Sequence, residues 1–180
     1  AIVTGRQVST SASNRVAGYC MALAEANIPI NSERICWGEY SRKTAERLTL
    51  DLMKRCPETT AIFAANNEIA IGVINALEKL DLPVPQSVAV VCFDDFYPDS
   101  RFASLMTVAS QSPYDIGLNA AQLLVNRLNG NEHLRAQTIM LPPRLIVRHS
   151  CGGDPSPIVE QDDYDNVQGQ LILPLPQPKL

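Results

Sequence analysis

Ala61-Ile62-Phe63-Ala64-Ala65-Asn66-Asn67-Glu68-Ile69-Ala70-Ile71-Gly72-Val73-Ile74-Asn75-Ala76-Leu77, followed by Val88-Ala89-Val90-Val91-Cys92-Phe93-Asp94-Asp95, is the stretch on which the fold turns. Ala61 to Ala65 is an unbroken apolar run of strand length, as expected for a strand buried on both faces. Ile69, Ala70, Val73, Ile74 and Leu77 then recur at helical spacing and predict one buried helix face. Leu82-Pro83-Val84-Pro85 stops that helix, because proline lacks the helical N–H and restricts its predecessor. Val88 to Phe93 reads as a second buried strand, closed by Asp94-Asp95. Strand, helix, strand is the unit of a parallel sheet.

The same alternation extends upstream. Ile2-Val3 ends an opening apolar run, and Thr4 to Ser13 is a polar loop. A helix is expected from Asn14, capped by Ser13, with Val16, Tyr19, Cys20, Leu23 and Ala26 on its buried face and Ile28-Pro29 at its end. Ile35-Cys36-Trp37 is a short strand. Ser41 caps a second helix whose Ala45, Leu48, Leu52 and Met53 share a face. Downstream, Leu105 to Val108 is extended. Pro113 opens a helix with a stripe of Ile116, Leu118, Ala120, Leu123, Leu124 and Leu128, and Gly130 ends it. Thr138 to Leu141 and Leu145 to Val147 are the last strands. From Gly152 the chain becomes rich in proline and aspartate, the composition of a poorly ordered tail over 151–180.

Composition bounds the function. The 180 residues are 46% hydrophobic and 19% charged, enough apolar material for a core. The net charge of −4 argues against direct clamping of nucleic acid, which takes an excess of lysine and arginine. Cys20, Cys36, Cys56, Cys92 and Cys151 are an odd, dispersed set without a CxxC, the usage of a reducing cytoplasm. The chain opens on Ala1 inside a strand-like run and is expected to be a fragment. Membrane-spanning and signal segments, nucleotide-binding glycine loops, GxSxG and HExxH are all missing from it, so neither an enzyme nor a cofactor or metal site is expected. His133 and His149 fall in a loop and beside the last strand.

Ligands of open parallel sheets bind beyond the carboxyl ends of the strands. Those ends carry Ser11 and Arg15, then Trp37 and Tyr40, then Asn66, then Asp94. A carboxylate accepts from paired hydroxyls or ring N–H groups, and a guanidinium offers a rigid fork of donors. An asparagine amide donates and accepts, and a tyrosine ring stacks. The set suits a small, neutral, polar ligand. Singly each residue has an ordinary explanation: Asp94-Asp95 as turn chemistry, Asn66 as a helix cap, Arg15 as a solvated side chain, Tyr40 as rim packing.

In combination, the ordered motifs resemble the effector-binding domain of the lac repressor and purine repressor family of transcriptional regulators. They are Arg15-Val16-Ala17-Gly18-Tyr19, Trp37-Gly38-Glu39-Tyr40, Thr60 through Gly72, Leu82 through Pro85, Val88 through Asp95, Thr107-Val108 with Gln111, and Leu141 through Gly152. The resemblance implies a type I periplasmic-binding-protein-like α/β fold with two lobes. Residues 1–150 would form mainly the second lobe, with 105–130 returning to the first. Most of the first lobe and the helix-turn-helix would precede residue 1. It implies effector contacts at Arg15, Asp94 and Asn66, stacking at Tyr40, and weaker polar contributions from Ser11 and Gln111. The implied partners are a sugar or nucleobase effector, operator DNA through the missing helix-turn-helix, and a second copy in a homodimer by way of the third helix and residues 96–102. No membrane partner is implied. A transporter's periplasmic sugar-binding protein is the alternative of the same architecture. Asn67 stands where the family commonly has Asp, and Cys92 where Gly is frequent.

Overall fold

The structure is a computed structural model that describes residues 1–129, 136–155 and 171–174. The expectations for Gly130, His133 and most of the tail lie outside the described residues. The chain forms two compact units, Ala1–Ser110 with Leu145–Ser156, and Gln111–Arg144 with Pro157–Leu180.

The first unit is built on a sheet in the order β2-β1-β3-β4-β5-β7. The strands are β1 (Ile2–Thr4), β2 (Ile35–Trp37), β3 (Ala61–Ala64), β4 (Ala89–Phe93), β5 (Thr107–Ser110) and β7 (Arg144–Ile146). β2, β1, β3, β4 and β5 are parallel, with Ile2 opposite both Ile35 and Phe63, and Ile62 opposite Val90. Strand order reverses between β1 and β3, so the connecting helices leave toward opposite faces and a crevice opens at that point.

The core lies on the face covered by α2 (Arg42–Arg55) and α3 (Asn67–Lys79), where Val3, Ala64, Val90 and Cys92 meet Leu52, Ile69 and Val73. The two helices pack closely because residue 72 has no side chain. A Cβ there would lie 2.7 Å from the Ala45 Cβ, 3.0 Å from the Glu46 nitrogen, and nearer still to the Arg42 carbonyl. Salt bridges from Arg42 to Glu68 and from Glu46 to Lys79 tie the beginning of α2 to the first and last turns of α3.

Several expectations are corrected. α1 spans Thr10–Glu25, four residues longer at its start than the Asn14 onset, and Ser9 rather than Ser13 occupies the N-cap. The Ser13 hydroxyl instead donates to the Gln7 carbonyl at 2.8 Å. Only Ala12 is buried along α1; Val16, Tyr19, Cys20 and Leu23 are half-buried and Ala26 is exposed. Proline does not end α1 or α3. Asn27 and Asp81, both left-handed at φ 56 and 53, turn the backbone first. Ile28 and Leu82 then donate to the Leu23 and Leu77 carbonyls, closing each helix as a Schellman motif. β3 and β4 are not sealed on both faces: along β4, Val90 and Cys92 are buried while Ala89, Val91 and Phe93 are half-buried. β5 begins at Thr107, two residues beyond the expected start. Short 3-10 turns at Ser32–Arg34 and His149–Cys151 carry no apolar periodicity and were not expected.

The second unit contains α4 (Pro113–Leu128) and the antiparallel pair β6 (Gln137–Met140) and β8 (Leu171–Pro174). Ser112 caps α4 through a bond from the Asp115 N–H, with Pro113 in the first turn as expected. None of the α4 stripe is buried within the described residues, and Leu124 and Leu128 are 59% and 76% exposed.

Gly72→Ala is expected to force α2 and α3 apart at a cost of about 1–3 kcal/mol, the usual penalty of overpacking. Gly5→Ala meets only the far end of the Tyr40 ring, at 2.5 Å, and should cost less. Urea denaturation of the two variants checks the order; equal losses would contradict it.

Candidate functional site

The carboxyl edge of β1, β3 and β4 is organised by one side chain. Arg15, on the second turn of α1, is only 16% exposed. Its Nη1 donates to the Ala65 carbonyl at 2.6 Å, the group that β3 presents just past its last residue. Its guanidinium carbon lies 4.0 Å over the centre of the Phe93 ring, and its Nη2 is 4.0 Å from the Asp94 carboxylate. The arginine therefore bridges the ends of two neighbouring strands, with a face stacked on the ring of one and an edge toward a charge. Planar delocalisation makes such triple use possible, whereas an ammonium would serve one direction well.

Asp94 has φ 70, a left-handed conformation that costs a non-glycine residue roughly 1–2 kcal/mol. Its N–H continues the ladder by donating to the Ala109 carbonyl at 3.0 Å. Beneath it, the Cys92 thiol donates to the Phe93 carbonyl at 3.0 Å and approaches the Asp94 carbonyl at 3.6 Å. Burial, reinforced by the Asp94 charge, raises the Cys92 thiol far above its usual range. The sulfur is thus a neutral hydrogen-bonding group, not a nucleophile.

Asn66 immediately follows the carbonyl that Arg15 holds. Its Oδ1 accepts from the Ile69 N–H at 2.9 Å as the N-cap of α3. The ordinary explanation holds for that atom, and the amide hydrogens on Nδ2 are what the side chain can offer a ligand. Asn67 has a structural reason to be an amide: its Oδ1 accepts from the Glu68 N–H, and its Nδ2 donates to the Asp95 carbonyl at 3.4 Å. A carboxylate at 67 would have no proton to give that carbonyl.

The Tyr40 ring lies against the backbone of Gly5, so that a β-carbon there would push the ring aside, and Tyr40 is 40% exposed. It covers the end of β1, so any stacking ligand would meet its outer side. Ser11 is exposed on the first turn of α1. Gln111 opens the second unit. The structure thus brings Arg15, Asn66 and Asp94 to one edge of the sheet, adjacent to the switch point that Gly5 and Tyr40 flank. Phe93 as a stacking partner and the Ala65 carbonyl as an acceptor were not legible in the sequence. No motif marks a backbone oxygen, and Phe93 reads as one more strand apolar.

Asp95 faces a different task. Arg148 clamps it with two bonds, 2.9 and 3.0 Å, and also donates to the Met106 carbonyl. The paired aspartates have therefore separated, one toward Arg15 and one into a fixed ion pair that ties the chain's return segment to β4.

Comparison with known proteins gives one direction. A family model described as periplasmic binding protein-like domain matches residues 1–151. The "HTH-type transcriptional repressor PurR" of Histophilus somni is 30% identical over 152 residues, 83% of this chain and 45% of the relative. A solved regulatory protein of the LacI family from Chloroflexus aggregans is 29% identical with a TM-score of 0.71, covering 84% of this chain and 54% of that one. The transcriptional regulator CelR, solved as its cellobiose complex, is 25% identical with a TM-score of 0.70, covering 83% and 46%. The chain spans less than half the length of the curated relatives it matches.

Arg15→Met is expected to lower stability by about 1–3 kcal/mol, because the Ala65 carbonyl loses a charged donor in a half-buried place. The Arg15→Lys variant should recover only part of the loss. Thermal and urea unfolding check both; full recovery by lysine would show that charge alone matters at this position.

Proposed function

The chain belongs to the periplasmic binding protein-like domain family, and from that premise we propose that it is the ligand-sensing part of a transcriptional repressor of the lac repressor type. The observation that carries this reading is the convergence of Arg15, Asn66 and Asp94 at the strand-order reversal. The relatives it matches are repressors and regulators by name, which supports a sensor over a transporter's sugar-binding protein or an enzyme.

The effector is a small neutral polar molecule, a sugar or a nucleobase. Asp94 accepts hydrogen bonds from adjacent hydroxyls or ring N–H groups. Arg15 donates from the edge not committed to Ala65. Asn66 donates through Nδ2, the outer face of Tyr40 packs on the ring, and Ser11 and Gln111 add polar contacts. A solved relative holding cellobiose favours a sugar. The domain acts in the cytoplasm as a homodimer, the copies meeting through α3 and residues 96–102, and operator DNA is contacted by a helix-turn-helix elsewhere in the longer protein. No helix among the described residues is long and apolar enough to cross a membrane. Of the 105–130 expected to return to the first lobe, β5 pairs with β4 in the sheet of the first unit, and in this reading 111–130 belong with the first lobe of the full domain. Ligand controls DNA affinity by binding one lobe arrangement better than another, since only differential affinity shifts such an equilibrium.

Thermal-shift screening of pentoses, hexoses, disaccharides and nucleobases on the complete protein should yield a stabilising compound. Asp94→Ala should weaken that compound by about tenfold or more, the worth of a hydrogen bond to a charged group. The same compound should change retention of operator DNA in a mobility-shift assay. Undiminished affinity in the variant would remove Asp94 from the site, and indifference of DNA binding would remove the repressor reading.

A further inference from the structure

We propose that Arg148 is a positioning residue of the effector site: by clamping Asp95 it holds the preceding residue, Asp94, in the left-handed conformation in which its carboxylate lies 4.0 Å from Arg15 Nη2. The inference rests on the reading of Asp94 as an effector contact. It adds to that reading a side chain 53 residues beyond Asp95 in sequence.

A residue with a β-carbon does not keep φ 70 unaided, because Cβ crowds the following carbonyl oxygen. Such a conformation persists where the structure on both sides over-determines it. On the amino side the sheet does this. The Asp94 N–H donates to the Ala109 carbonyl at 3.0 Å, and the Cys92 thiol donates to the Phe93 carbonyl at 3.0 Å. On the carboxyl side Asp95 lies in neither strand nor helix, so side chains supply the anchorage. Arg148 Nη1 and Nη2 grip the two carboxylate oxygens of Asp95 at 2.9 and 3.0 Å. Asn67 Nδ2 donates to the Asp95 carbonyl at 3.4 Å, and the carboxylate also accepts from the Phe96 N–H at 2.8 Å.

The clamp is itself fixed. Arg148 is 18% exposed, and its Nη1 also donates to the Met106 carbonyl at 2.8 Å. Its N–H donates to the Thr107 hydroxyl oxygen at 2.8 Å, and its carbonyl accepts from that hydroxyl at 2.9 Å. Two parallel bonds from a planar fork set the orientation of the carboxylate as well as its distance. With the fork removed, Asp95 can turn and Asp94 relaxes to negative φ. That change rotates Cβ about the N–Cα axis by roughly 120° or more and re-aims the Asp94 carboxylate.

Glycine and alanine at position 94 read the backbone there. Both remove the carboxylate alike, but glycine is the more stable at positive φ and alanine at ordinary φ. In the full chain Asp94→Gly should melt about 2–4 °C above Asp94→Ala. In an Arg148→Met background the gap should close or reverse. If Arg148 only supports the fold, it lowers both melting temperatures equally; an intact gap in that background, or no gap in the native one, would overturn the proposal. Should Arg148→Met fail to fold, Arg148→Lys keeps the charge without the fork, and the gap should narrow there too; a gap of full width would count as the same refutation. A crystal structure of the Arg148 variant checks the geometry directly: Asp94 should leave the left-handed region, and a φ still near 70 would contradict the clamp. No ligand enters these measurements, so the clamp is tested separately from the effector reading, which stands or falls on the affinity of Asp94→Ala.

Discussion

A parallel sheet leaves the last carbonyl of each strand to find a partner beyond the ladder, and at β3 that partner is the Arg15 guanidinium. The constraint propagates. While it reaches Ala65 from α1, the guanidinium lies over Phe93, its carbon 4.0 Å from the ring centre. Its second terminal nitrogen lies 4.0 Å from the carboxylate of Asp94, whose backbone is left-handed. The crevice chemistry is thus a by-product of satisfying one backbone oxygen at the end of a strand, and the charge of the site is set by the same contact.

The neighbouring aspartate shows how two identical residues diverge. Asp94 remains at the edge with Arg15, while Asp95 is locked by both terminal nitrogens of Arg148. Asn67 completes the division by donating to the Asp95 carbonyl. The two carboxylates thus have different partners, Arg15 on α1 for one and Arg148 on the segment that returns from the second unit for the other.

Much of this was legible in advance. The alternation of strands and helices, the parallel sheet and the strand-end residues follow from apolar runs and helical spacing between Ile2 and Asp95. Other features were hidden by the chemistry that produces them. The early start of α1 was masked because Thr10, Ser11 and Ser13 read as loop by composition, yet the helix accepts them in its exposed first turn. Its end was assigned to Pro29 although Asn27 terminates it, since left-handed closure leaves no stronger trace than an asparagine. Periodicity promised a buried stripe on α4, and the described residues leave that stripe uncovered. At the site, sequence named Arg15 and Asp94 but could not foresee Phe93 or the Ala65 carbonyl, because a stacking geometry and a backbone acceptor have no residue code.

The first unit is discontinuous in sequence. Ser150 bonds the Val90 carbonyl and the Thr107 N–H, and Arg148 the Thr107 hydroxyl, so residues 145–156 belong with 1–110 although 34 residues intervene. A ribosome adds about 5–20 residues per second, which separates the two parts by a few seconds of synthesis. During that interval the nascent sheet has an open edge at β5 and two backbone polar groups waiting for a serine not yet made. Completion of this unit on the ribosome is therefore coupled to emergence of the segment between, and a pause in translating residues 111–144 would prolong exposure of an unpaired strand.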